Sequence, residues 1–194
     1  MMATTANANE PKDKNILILG DSLSAGLGVN YDQAWPSLLQ LRINKIGASY
    51  RVINAGVSGD TTSGGISRLP RLLKKYSPEI LILELGGNDG LRGTSLKAIK
   101  KNLRDMISSA QSNGITILLI GVQLPPNYGA LYTKGFEDIF SDLAKEYGLE
   151  LIQGSLKTMV NERMMQSDGI HPNVSGHQQI ENIIWERLNK YLEK

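Results

Sequence analysis

The 194-residue chain contains no cysteine and only two histidines. Without thiols there is no cysteine nucleophile, no disulfide and no thiolate metal site, although the compartment stays open. Net charge is small as well: 21 Lys and Arg against 19 Asp and Glu leave +2, and like charges never run in long blocks. A nucleic-acid partner would therefore need a local basic face. Two sets have helical spacing, Arg68, Arg71, Lys74 and Lys75, then Lys97, Lys100, Lys101 and Arg104. Solvated helix faces ordinarily look like this, so no nucleic acid is expected and contact with anionic lipid is at most peripheral.

Long apolar runs are missing too. None approaches the roughly 20 residues of a membrane span, and the N-terminus has no apolar signal core. Ala6-Asn7-Ala8 does look like a signal-peptidase site, which leaves two readings open: a trimmed export signal or an ordinary polar tail. No G-x-x-x-x-G-K-[ST], G-x-G-x-x-G or H-E-x-x-H pattern occurs. Phosphate, dinucleotide and zinc cradles of those types are thereby excluded, and neither cofactor nor metal is expected. The G-x-S-x-G elbow is also absent, since Ser24 stands two places after Ser22.

What is present reads as one domain over residues 14–194 behind a disordered tail, 1–13. Apolar residues make up 41% and charged ones 21%, a globular balance. Near-continuous apolar runs at 15–20, 50–55, 79–85 and 115–120, with a weaker one at 149–153, suit strands covered on both faces. Between them, apolar residues recur at helical spacing. The sets are Trp35, Leu38, Leu39, Ile43 and Ile46; Ile66, Leu69, Leu72 and Leu73; Leu96, Ile99, Leu103, Met106 and Ile107; a segment near 130–147; and Ile180, Ile183, Ile184, Leu188 and Leu192. Strand and helix alternate five times, which predicts an α/β domain with a parallel sheet and right-handed crossovers.

Ligands of such sheets bind beyond the carboxyl ends of the strands, so the strand exits matter most. They read GDSLSAG, AGVSGDT, GGNDGLRG and GVQLPPNYG, and SDGIHPN follows near the C-terminus. His177 opens the last helical segment and reads as a surface or packing residue. His171 lies three places after Asp168 in a Gly- and Pro-rich stretch, where carboxylate and imidazole meet locally. A serine hydroxyl needs a base near the working pH, and that base needs an acceptor on its other nitrogen. Ser22, His171 and Asp168 have the right types. Backbone amides in Gly-rich turns, with Asn88, would receive a developing oxyanion. A plain capped turn at 168–171 and a tight Gly-Asn loop at 86–90 explain the same residues locally.

Together, GDSLSAG, GVSGDT, LGGNDGLRG and DGIHPN resemble the ordered blocks of the SGNH, or GDSL, hydrolase family. The likeness is nearest to its bacterial branch of esterases, thioesterases and lysophospholipases and runs over about residues 14–190. This resemblance implies a flavodoxin-like three-layer α/β/α sandwich around a five-stranded parallel sheet, acting on esters and thioesters without cofactor. It places the triad on Ser22, Asp168 and His171, and the oxyanion donors on Ser22, Gly59 and Asn88. Substrate contacts are expected at Leu91, Leu124, Pro125 and Tyr128. It further implies a small-molecule acyl ester or thioester as substrate, a monomer, and the periplasm, with the cytoplasm as the alternative. Carbohydrate acetylesterases share the blocks, and a flavodoxin-like module binding an anionic ligand is the reading from another class.

Overall fold

A computed structural model describes residues 14–153 and 163–192; the tail expected at 1–13 lies outside the described residues. Each expected apolar run is a strand: β1 (Lys14–Gly20), β2 (Tyr50–Asn54), β3 (Ile80–Glu84), β4 (Thr116–Gly121) and β5 (Glu150–Gln153). All neighbouring pairs are parallel, in the order β2-β1-β3-β4-β5. The helices are α1 (Ser22–Ala25), α2 (Trp35–Lys45), α3 (Thr62–Tyr76), α4 (Gly87–Leu91), α5 (Leu96–Ser112), α6 (Ala130–Tyr147) and α7 (Val174–Leu188). The two short ones, α1 and α4, stand where the sequence suggests only turns.

Strand side chains alternate between faces, and here both faces are covered. Leu17, Leu19, Leu81, Leu83, Ile117 and Leu119 pack with α3, α5 and α6. Ile16, Ile18, Ile80, Ile82, Leu118 and Ile120 pack with α2 and α7. Burial on both sides is why the runs read as continuous rather than alternating.

Helix limits follow their caps. Thr61 accepts a hydrogen bond from the Gly64 amide at 3.2 Å to start α3, and Asn173 accepts one from Gly176 at 3.1 Å to start α7. The α2 stripe stops short of Ile46, which caps the helix and is exposed. α7 is fixed to α2 by the Arg42–Glu181 ion pair at 3.1 Å and by the Trp35 amide, which donates to His177 Nδ1 at 3.3 Å. Much of the basic character drawn from spacing is paired: Lys100 with Asp142 at 2.6 Å, Arg104 with Glu146 at 3.1 Å, Lys101 with Asp105 at 2.6 Å, and Arg68 with Asp60. No helix among the described residues is long and apolar enough to cross a membrane.

Chain order reverses direction between β1 and β3, so the connections leaving them run to opposite faces and open a crevice at their carboxyl ends. Ser22 follows β1 and Asn88 follows β3. Leu103, fully buried on α5 against this sheet, tests the packing: Leu103→Ala should cost about 2–5 kcal/mol in urea unfolding. A loss under about 1 kcal/mol would show that α5 is not held as described.

Candidate active site

Past Gly20 the chain turns sharply, and Asp21 caps α1 by accepting from the Leu23 amide at 3.0 Å. Ser22 is the first residue of that helix, and its amide falls among the first-turn donors that have no intrahelical acceptor. Its Oγ lies 2.9 Å from His171 Nε2, 149 positions away in sequence. On the far side of the ring, Nδ1 lies 2.6 Å from Asp168 Oδ2. Asp168 Oδ1 meanwhile accepts from the amides of Ile170 at 2.9 Å and His171 at 3.0 Å. The hydrogen bond from His171, helped by these amides, holds the Asp168 carboxyl down to about 2, so it stays ionised at ordinary pH.

Gln166 joins the histidine segment to the serine segment, a role with no sign in the local sequence. Its Nε2 donates to the Leu27 carbonyl at 2.7 Å, 139 positions away, and to the Pro172 carbonyl at 2.9 Å. A side chain at Gly28, where φ is +83°, would meet this amide at 2.1 Å. Close approach therefore requires glycine there.

Asn88 sits within α4, and the left-handed conformation nearby falls on Gly86, at φ +119°, not on the asparagine. Asn88 Nδ2 donates to the Asp60 carbonyl at 2.9 Å and to Asp21 Oδ2 at 3.1 Å. Gly59, with φ +79°, has an amide without an acceptor among the described residues. Other polar residues of these motifs are struts. Asp89 accepts from the Thr62 amide and from Thr62 Oγ1, both at 2.8 Å, while Asp60 accepts from Arg68 Nε at 3.0 Å.

Two carboxyl groups lie buried beneath Ser22, Asp21 at 3% exposure and Glu84 at 2%. Burial pushes Asp21 up to about 6, opposed less strongly by the Leu23 amide, His171 and Asn88. Glu84 is raised well above its ordinary value, first by burial and then by the Asp21 charge. Sequence reasoning did not single out Glu84, although a lone charge inside ILILE was a usable signal.

Ser22, Asn88 and His171 share one cleft with Leu91, Leu124 and Pro125. Val122, Gln123 and Ile170, not anticipated, also line it. Tyr128 and Gly59 do not line it. The Tyr128 hydroxyl donates instead to the Leu91 carbonyl at 3.2 Å, tying the loop after β4 to α4. A neighbouring apolar pocket, bordered by Trp35, Ile120, Ile184 and Glu84, adjoins the cleft at Leu23, Val122, Gln123 and Ile170.

His177 is fully buried in α7 and takes no part in the cleft. Burial, and secondarily the nearby His171, lowers it to about 4. Between pH 6.5 and 4 the unfolded chain therefore binds the proton more tightly, and this contribution to stability is lost as pH falls through that window. Wild type should lose stability relative to His177→Gln between pH 7 and 4.5 in urea titrations. A pH-independent difference between the two would remove His177 as the group responsible.

Comparison with known proteins gives a consistent picture. Residues 18–179 match the model of the GDSL-like lipase/acylhydrolase family. Esterase TesA of Pseudomonas aeruginosa is 41% identical over 180 residues, covering 92% of this chain and 90% of that protein. The Escherichia coli thioesterase 1/protease 1/lysophospholipase L1 is 42% identical over 159 residues, 81% of this chain and 75% of the other. The crystal structure of the psychrotrophic esterase EstA from Pseudoalteromonas, inhibited by monoethylphosphonate, superimposes with a TM-score of 0.86 at 33% identity, covering 92% of this chain and 98% of that one.

Proposed function

Since the chain belongs to the GDSL-like lipase/acylhydrolase family and is a carboxylic ester hydrolase, we propose that it cleaves esters and thioesters through a covalent acyl-enzyme on Ser22. The observation that carries this reading is the unbroken chain of contacts from Ser22 Oγ to His171 Nε2 at 2.9 Å, and from Nδ1 to Asp168 at 2.6 Å.

His171 Nε2 accepts the hydroxyl proton as Oγ attacks the acyl carbon, while ionised Asp168 keeps the other ring proton on Nδ1 and stabilises the imidazolium. The tetrahedral oxyanion takes hydrogen bonds from the Ser22 and Gly59 amides and from the Asn88 side chain. For Asn88 this means exchanging or sharing its bond to the Asp21 carboxylate. Collapse breaks the bond from the acyl carbon to the alcohol or thiol, which leaves with the proton from His171. Water, deprotonated by the same ring, then attacks the acyl-enzyme and frees the acid.

Leu91, Leu124 and Pro125 supply apolar walls suited to an acyl chain, and Tyr128 steadies Leu91 from behind. The names of the relatives support thioesters beside esters. Within the same reading the enzyme works as a periplasmic monomer on small acyl substrates, with at most peripheral membrane contact and no nucleic acid.

Ser22→Ala should lower hydrolysis of p-nitrophenyl butyrate by at least about 10³-fold with the fold retained, and Asp168→Asn by about 10³- to 10⁴-fold. A reactive phosphonate should add one equivalent of mass to the wild-type chain at Ser22. Near-normal turnover by Ser22→Ala would rule out this nucleophile.

A further inference from the structure

Glu84 takes no part in the steps above, yet it is a buried acid set directly under the nucleophile turn. Its Oε2 accepts from Ser24 Oγ at 2.7 Å and from the Asp21 amide at 3.3 Å. One oxygen thus holds residues on both sides of Ser22. We propose that Glu84 is a positioning residue for the acyl-transfer reaction, clamping the turn 21–24 so that Ser22 Oγ faces His171 Nε2 before substrate arrives. The proposal rests on Ser22 being the nucleophile.

Three observations support a dedicated clamp. Gly20 is required by it, because a β-carbon there would lie 2.2 Å from Ser24 Oγ and 2.7 Å from Glu84 Oε2. Ser24 is fully buried and its hydroxyl donates to Glu84, so its polar group has no solvent role. The remaining oxygen, Oε1, is buried without a hydrogen-bond partner among the described residues, and Glu84 borders the apolar pocket near Ile120 and Ile184.

An unpartnered oxygen in such surroundings suits the neutral acid, and burial together with the adjacent Asp21 raises Glu84 in that direction. Ionised, the group would place a second charge beside Asp21 in a buried site. Neutral, it still offers Oε2 to Ser24 and Asp21. Glutamine is the isostere of this form. Its carbonyl takes over both hydrogen bonds, and its NH₂ occupies the place of the acid hydroxyl.

The clamp differs from an ordinary buried strut in what it controls. A misplacement near 1 Å at a reacting atom costs about 10²-fold in rate without weakening binding in the cleft. Turnover of p-nitrophenyl butyrate should therefore be measured per active site, counted by phosphonate titration, for Glu84→Ala, Glu84→Gln and Ser24→Ala. We expect kcat per titrated site to fall about 10²-fold in Glu84→Ala with KM within about threefold of wild type. Glu84→Gln should restore most of that rate, and Ser24→Ala, which removes one of the two hydrogen bonds, should fall between.

Unchanged kcat per site in both Glu84→Ala and Ser24→Ala, with only the thermal midpoint lowered, would reduce Glu84 to a strut and overturn the proposal. So would Glu84→Gln as impaired per site as Glu84→Ala, since the acceptor would then not be what matters. If Glu84→Ala does not fold, Ser24→Ala and Glu84→Gln decide alone: a loss in the first with retention in the second supports the clamp, and any other pairing overturns it. Failure of the nucleophile assignment shows separately, as wild-type enzyme that phosphonate does not label at Ser22.

Discussion

A serine hydroxyl and an imidazole, 149 positions apart, meet at 2.9 Å at the edge of the sheet toward which all five strands point. In a parallel sheet every strand delivers its exit loop to one edge, so residues distant in sequence collect along one crevice. Ser22 arrives from β1 and Asn88 from β3, while the histidine comes from the segment leading into α7. That last segment is not a strand exit and needs its own attachment. Gln166 holds it to the Leu27 carbonyl, and α7 is anchored on α2 through Arg42, Glu181, Trp35 and His177.

Placing two carboxyl groups under this junction is costly, because burial disfavours their charge. Asp21 and Glu84 divide the consequences. Asp21 retains hydrogen bonds from Asn88 and the Leu23 amide, which favour its ionised form. Glu84, among the described residues, accepts from the Ser24 hydroxyl and the Asp21 amide. Buried hydrogen bonds of this kind are stiff, since moving the turn would leave the Ser24 hydroxyl and the Asp21 amide without their acceptor. Such stiffness keeps the turn that carries Ser22 in one conformation.

Many motif residues serve the frame rather than the chemistry. Asp60, just before α3, accepts from Arg68 within that helix, and Asp89 takes the amide and hydroxyl of Thr62 across from α4. These bonds fix the second and third exit loops relative to each other, and so set where the Gly59 amide and the Asn88 side chain stand. The Tyr128 hydroxyl ties the fourth exit loop to α4 in the same manner. The family match over residues 18–179 spans all of them.

Periodicity was enough to define the strands and long helices, because a face buried on both sides leaves a continuous apolar run and a face buried on one side leaves a 3.6-residue stripe. The Asp168–His171 pairing was legible as well, being closed within three residues by a local turn. Short helices at 22–25 and 87–91 were not, since neither is long enough to leave a stripe. Glu84 beneath Ser22, Gln166 as the brace, the Val122, Gln123 and Ile170 walls, and Tyr128 behind rather than within the cleft were decided by tertiary structure alone. Each depends on which side chains meet across elements far apart in the chain, and such meetings leave no local pattern for composition or spacing to record.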